Sequence, residues 1–158
     1  MIAMAQEIER KYLLAATHWR NEITRSVRIA QGYLNDEPAR TVRVRIKGEK
    51  GFLTIKGKNE GIARAEFEYE IPLADAAELL KLCPAVLDKT RHEIHRDGFV
   101  WEIDEFAGDN AGLIVAEIEL PAVDTEFTKP DWLGDEVSGD ARYYNSALST
   151  HPYTRWPR

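Results

Sequence analysis

Glu7-Ile8-Glu9-Arg10-Lys11 is the stretch on which the fold turns. An extended strand sends successive side chains to opposite faces, so Glu7, Glu9 and Lys11 share one row while Ile8, Arg10 and Tyr12 take the other. Two carboxylates beside one ammonium can hold a divalent cation through oxygen ligands and leave a point charge for an anion. That is the minimum needed to handle a metal-bound phosphate. On an ordinary antiparallel sheet the same row would be a solvated face. The later strands decide between the two.

Several of them repeat the feature. Arg40 to Lys47 alternates Thr41, Arg43, Arg45 and Lys47 with Val42, Val44 and Ile46. Phe52 to Lys58 sets Thr54, Lys56 and Lys58 against Leu53 and Ile55, and Ile62 to Ile71 sets Arg64, Glu66, Glu68 and Glu70 against Ala65, Phe67, Tyr69 and Ile71. Leu113 to Leu120 places Val115, Glu117 and Glu119 opposite Ile114, Ala116, Ile118 and Leu120. Further strands are expected over Gln6 to Leu14, Ser26 to Leu34, and a hairpin of Val86 to Arg96 and Phe99 to Phe106 turning at Asp97-Gly98. Asn35-Asp36-Glu37-Pro38 supplies turn chemistry. Helices are expected at Leu73 to Leu82 and Asp140 to Leu148, with a short helical turn around Trp19. About eight strands and two helices make an antiparallel-rich α+β domain. The charged rows form blocks of one sign, which repel across neighbouring strands and gain little on an open surface. Around a polyanion and its metal they gain much more.

The 158 residues fit one domain, read as 1–150, followed by a tail over 151–158 that holds two prolines. With 21 Lys and Arg against 27 Asp and Glu the net charge is −6, so neither nucleic acid nor an anionic membrane is the expected partner. The single Cys83 lies in an apolar run and reads as a structural thiol of a reducing compartment. Met1 to Gln6 has neither the basic nor the apolar run of a signal peptide, and no stretch has the apolar length to cross a bilayer, so a cytoplasmic protein is expected. His18, His92, His95 and His151 are scattered without zinc spacing and read as surface or structural residues.

The opening segment resembles the ExExK signature of the CYTH superfamily, the triphosphate tunnel metalloenzymes. The resemblance continues in order through Gln31-Gly32-Tyr33-Leu34, Arg43-Val44-Arg45-Ile46-Lys47, Leu53-Thr54-Ile55-Lys56-Gly57, Arg64 to Ile71, Lys89-Thr90-Arg91, Trp101 to Phe106, Gly112-Leu113, Glu117 to Leu120 and Tyr144-Asn145. It implies a closed antiparallel barrel of eight strands with a polar interior and helices packed outside. The chain is similar to compact bacterial members that act as inorganic triphosphatases on a small polyphosphate. On that resemblance Lys11, Arg43, Arg45, Lys56 and Arg91 grip the phosphates. Glu7, Glu9, Glu117 and Glu119 bind Mg2+ or Mn2+, with Glu66, Glu68 and Asp104 as secondary members of that set. Lys89 and Lys11 are the candidate catalytic residues. Lys89 resembles a general base, and a phosphate ligand is the other reading. Tyr33 corresponds to an aromatic that covers one tunnel mouth, with a core or rim tyrosine as its alternative. Lys47, Lys58, Arg64 and Glu70 are read as solvated rim, and a homodimer is the family's common state.

The resemblance also leaves rivals. A thiamine or nucleoside triphosphatase shares the chemistry, whereas a class IV-type adenylyl cyclase would need room for base and ribose. A non-catalytic polyphosphate-binding module would bind without turnover.

Overall fold

The computed structural model describes residues 5–35 and 37–157, so Met1 to Met4, the Asp36 position of the first expected turn and Arg158 lie outside the described residues. Among the described residues nine strands form one antiparallel sheet: β1 (Gln6–Leu14), β2 (Arg25–Asn35), β3 (Arg40–Lys47), β4 (Lys50–Gly57), β5 (Ala63–Ile71), β6 (Val86–Arg96), β7 (Phe99–Phe106), β8 (Ile114–Glu119) and β9 (Leu133–Glu136). Their order is β5-β4-β3-β2-β6-β7-β8-β1-β9, and β1 also pairs with β5. That pairing closes an eight-stranded barrel. It spans only Gln6↔Ala65, Glu7↔Arg64 and Ile8↔Ala63, after which β1 leaves β5 and takes β9 as its neighbour. The ninth strand has no alternating pattern: Gly134, Asp135 and Glu136 fill most of it, and a Cβ on Gly134 would lie 2.9 Å from the Leu13 carbonyl oxygen. Only pairing with β1 reveals it.

The charged rows face inward. Arg43, Arg45, Lys56, Lys89, Arg91, Glu7, Lys11 and Glu117 are all buried. The apolar rows face outward and carry the larger core. Tyr12, Trp19, Ile94, Trp101, Ile103, Ala116, Ile118, Leu120 and Trp132 form one cluster on the outside of β6, β7, β8 and β1. Its cover is the 3-10 turn His18–Glu22 and the loop that carries Phe127 and Trp132, whose indole N–H donates to Glu22 at 2.8 Å. Edge-to-face contacts of Trp101 with Tyr12, Phe127 and Trp132 fix this layer. His92 belongs to the same packing, held between Ser26 Oγ at 2.7 Å and Glu105 at 3.1 Å beside the Trp19 ring.

Helix α1 (Leu73–Leu80) packs outside β3 and β4 as expected, with Ala76 fully buried. It ends two residues early. The N–H groups of Leu82 and Cys83 turn back to the carbonyls of Leu79 and Leu80, and Leu82 is left exposed. The half-buried Cys83 lies against Gly32, where an added Cβ would meet it at 2.7 Å. Beyond α1 no helix among the described residues covers the outer row of β4 and β5, and Ile55, Phe67 and Tyr69 are exposed.

The expected second helix is split. Asp140 accepts the Arg142 N–H at 3.1 Å and starts a 3-10 turn (Ala141–Tyr143), Tyr144 is extended, and α2 runs over Asn145–Thr150. Leu148 and Tyr143 then join Tyr33, Leu87, Phe106, Leu113 and Val115 in a second apolar cluster. Four of these (Tyr33, Leu87, Phe106 and Val115) belong to inward-facing rows, so α2 closes one end of the barrel while α1 lies on its side. Residues Tyr153–Arg155 form another 3-10 turn, and Tyr153 and Trp156 pack against this cluster.

The contact between α1 and β4 is tight enough to test. A Cβ on Gly51 would come within 2.6 Å of the Ala76 Cβ. Gly51→Ala is expected to cost about 1–3 kcal/mol and lower the midpoint of thermal unfolding by several degrees. An unchanged midpoint by calorimetry would contradict this packing.

Candidate active site

The barrel encloses a cavity of about 210 Å3 whose walls come from every barrel strand and from the segment around Ser138 and Tyr144-Asn145-Ser146. Cross-strand register decides which charges meet. Lys11 stands opposite Glu117, Lys56 opposite Glu66, and Arg91 opposite Asp104. These opposed pairs are favourable. Others are not, because Glu9 faces Glu119 and Glu102 faces Glu117 on one side and Glu93 on the other. On β3, Arg43 has Tyr33 and Thr54 as neighbours and Arg45 has Gln31 and Phe52, so neither arginine faces a carboxylate. One wall therefore carries surplus positive charge and another surplus negative charge.

All five cations predicted to grip phosphate line the cavity. Lys56 lies between Glu7 at 2.9 Å and Glu66 at 3.2 Å, and Lys11 is 3.6 Å from Glu117. Arg43 donates to Thr54 and Glu68, both at 3.3 Å, while its Nε is the buried side-chain nitrogen or oxygen without a partner among the described residues. An orphaned guanidinium N–H in a polar cavity is suited to an anion. Arg45 Nε donates to Gln31 Oε1 at 2.8 Å. Burial, then Arg43 and Arg91, push Arg45 down to about 9, so it remains a cation at neutral pH.

Asp104 is fully buried and accepts Lys89 Nζ at 2.7 Å and Arg91 at 2.8 and 2.9 Å. Both of its oxygens serve cations. Burial would raise its pKa, but Arg91 and Lys89 hold it far below the usual carboxylate range. Asp104, expected as a secondary metal ligand, has both oxygens engaged by Lys89 and Arg91 in this structure. Lys89 is shifted the other way: burial lowers it to about 7 against the pull of Asp104, and Arg91 and Arg45 add to the lowering. Glu68 pairs with Arg43 and Thr54 near the exposed rim, and Glu66 with Lys56.

Within the acidic wall Glu9 and Glu119 have no ion-pair partner among the described residues, whereas Glu7 and Glu117 do. Burial, then Glu117 and Glu7, raise Glu9 to about 8. Glu119 is raised by burial and by Glu7, Glu66 and Glu102. Burial pushes Glu7 and Glu117 up as well, but Lys56 with Glu66 and Arg64 around the first, and Lys11 with Arg91 and Lys89 around the second, together bring them down. A set of carboxylate oxygens that raise one another's pKa suits a hard divalent cation. Among the described residues no three acidic, His or Cys side chains converge on one point as they stand, and Glu7 is already held by Lys56 and Arg64.

The rim reading changes here, since Lys47 and Arg64 both line the cavity. Arg64, read as rim, pairs with Glu7 at 3.4 Å and lines the cavity, because the β1–β5 register sets them opposite each other. Tyr33 is buried in the apolar cluster at the closed end and also lines the cavity, which is the core alternative stated for it. Sequence reasoning assigned no role to Glu102, Gln31 or Asn145. Strand parity places Glu102 and Gln31 inward, whereas Asn145 arrives on a segment with no strand periodicity.

Since the folded-state pKa of Glu9 is raised, the native state holds more protons than the unfolded chain between pH 4.5 and about 8, and stability falls as pH rises through that window. Glu9→Gln removes this slope. In metal-free buffer at pH 8–9 it is expected to stabilise the protein by about 1–3 kcal/mol, with water in the cavity screening part of the repulsion. Denaturant titration at pH 5 and pH 9 checks it, and a destabilised variant at pH 9 would contradict the crowded acidic wall.

Comparison with known proteins agrees with this architecture. A model of the CYTH domain matches residues 5–145. The chain is 46% identical over 152 residues to an inorganic triphosphatase of Acetivibrio thermocellus, covering 95% of this chain and 97% of that protein. It is 36% identical over 152 residues to an inorganic triphosphatase of Nitrosomonas europaea, covering 90% and 96%. A crystal structure of the inorganic triphosphatase NE1496 superposes with a TM-score of 0.66 at 32% identity, covering 96% of this chain and 97% of that one. This chain, with its charged rows turned into a closed barrel, belongs to the CYTH domain family.

Proposed function

We propose that the protein hydrolyses inorganic tripolyphosphate to pyrophosphate and phosphate inside the barrel, with Mg2+ or Mn2+ as cofactor. The observation that carries this reading is the division of one cavity into a basic wall with an orphaned Arg43 N–H and an acidic wall crowded with like charge. A polyanion with a divalent cation on one side satisfies both walls, and neither alone satisfies both. The cavity, at about 210 Å3, is smaller than the roughly 300–1,000 Å3 usual for drug-sized ligands, which favours a bare polyphosphate over a substrate with an enclosed base.

In this reading Arg43, Arg45, Lys56 and Arg91 hold phosphate oxygens, and Lys11 reaches them from the acidic wall. Glu9, Glu119 and Glu117 would hold the divalent cation, which would supply Lewis-acid neutralisation of phosphoryl charge. Lys89, with its pKa brought down to about 7, accepts a proton from the attacking water as the oxygen bonds to the terminal phosphorus. The bridging P–O bond breaks, and pyrophosphate leaves with its new charge countered by the arginines. The amine form of Lys89 is the active one and it is populated above its pKa, so kcat/KM rises with pH through about 7 and then levels off.

Three outcomes follow. Incubated with tripolyphosphate, thiamine triphosphate and ATP under Mg2+, Mn2+ or chelator, the protein yields equimolar pyrophosphate and phosphate from tripolyphosphate, only with a divalent cation. A cyclic nucleotide from ATP, or tight tripolyphosphate binding without turnover, would overturn the reading. Lys89→Met lowers kcat by about 10²–10⁴-fold and flattens the alkaline rise. Lys11→Ala and Glu119→Ala each abolish most turnover, whereas activity near wild type in both would contradict the assigned walls.

A further inference from the structure

Asn145 is the first residue of α2, the short helix that closes the barrel. Its Oδ1 accepts Lys89 Nζ at 3.0 Å and Gln31 Nε2 at 3.1 Å. Gln31 Nε2 also reaches the Tyr33 hydroxyl at 3.4 Å, and Gln31 Oε1 accepts Arg45 Nε at 2.8 Å. The direction of this chain is forced. A guanidinium has no acceptor, so Gln31 must turn its oxygen to Arg45 and its amino group to Asn145. Asn145 must then offer its oxygen, which is also what Lys89 requires. Two neutral amides thus tie a lysine on β6 to an arginine on β3 without placing a carboxylate between them.

The support behind Asn145 is equally specific. Ser138 Oγ accepts the Lys11 backbone N–H at 2.9 Å, and the Val137 N–H donates to the Lys11 carbonyl at 2.8 Å. Leu148 is buried in the cluster at the closed end. The segment from Val137 to Leu148 therefore spans from β1, beyond the point where it leaves β5, to the rows of β2 and β6. Lys89 has Asp104 at 2.7 Å as its other anchor, and the two acceptors together fix its Nζ.

We propose that Asn145 is a positioning residue: with Gln31 it holds Lys89 and Arg45 in register across the cavity, so that turnover requires the C-terminal segment to be seated. This rests on the reading of Lys89 as the group that acts on water. Since Asn145 acts through Lys89, its loss should lower kcat more than it raises KM.

The experiment is a double-mutant cycle of Asn145→Ala and Lys89→Ala on tripolyphosphate hydrolysis, with thermal unfolding measured for each variant. Asn145→Ala is expected to lower kcat by about 10–100-fold, with KM changed less than about three-fold and an unfolding midpoint close to wild type. In the Lys89→Ala background the same substitution should have almost no further effect on kcat. A silent Asn145→Ala, or one whose effect persists undiminished without Lys89, overturns the positioning role while leaving the activity intact. A silent Lys89→Ala overturns the catalytic assignment itself, and the positioning role with it. If Asn145→Ala folds poorly, Asn145→Ser provides the same cycle.

Discussion

Repulsion among like charges that the fold forces together is the constraint on which the rest of this structure depends. Glu9 faces Glu119, Glu102 faces Glu117, and Arg43 and Arg45 stand side by side on β3 without a carboxylate opposite either. On an open sheet such rows would be solvated and nearly inert. Inside a barrel they are partly desolvated, so Glu117 and Glu7 push Glu9 up and Arg43 pushes Arg45 down, and the interior has two walls in want of counterions. The outer layers explain how this is tolerated. Three tryptophans and Tyr12 on one side and α1 on another bury enough apolar surface to close the barrel around an interior that does not stabilise it.

The interior is also organised by pairs that do satisfy one another. Asp104 holds Lys89 and Arg91, Glu7 holds Lys56 and Arg64, and Glu117 approaches Lys11. These pairs act as a scaffold that fixes cation positions before any ligand arrives, which reduces the ordering cost of binding. In the proposed reading, the groups left without a partner of opposite charge are the ones that meet the ligand. Glu9 and Glu119 on one wall and Arg43 Nε and Arg45 on the other fall in this group.

Much of this was legible in the sequence because strand alternation is a strict two-residue period. Once Arg43, Arg45, Lys56, Glu117 and Glu119 were assigned to rows, their common face followed, and eight strand positions were readable to within a residue or two. Three features were not. The Glu7–Arg64 pair depends on the β1–β5 register, which no local pattern encodes. Strand β9 lacks alternation and exists through its pairing with β1. Asn145 reaches the cavity because Tyr144 interrupts what reads as one continuous helix, an effect of local backbone conformation that the helical periodicity of Asp140 to Leu148 conceals. Asp104 shows a further limit: parity set it inward, but only distances reveal that both its oxygens belong to Lys89 and Arg91.

The most direct measurement is a crystal structure with Mn2+ and a non-hydrolysable triphosphate analogue, using anomalous scattering to locate the metal. The account predicts manganese at the acidic wall formed by Glu9, Glu117 and Glu119, and phosphate oxygens within hydrogen-bond distance of Arg43, Arg45 and Lys56. A metal and analogue bound on the outer surface, with the barrel interior occupied by water alone, would contradict it.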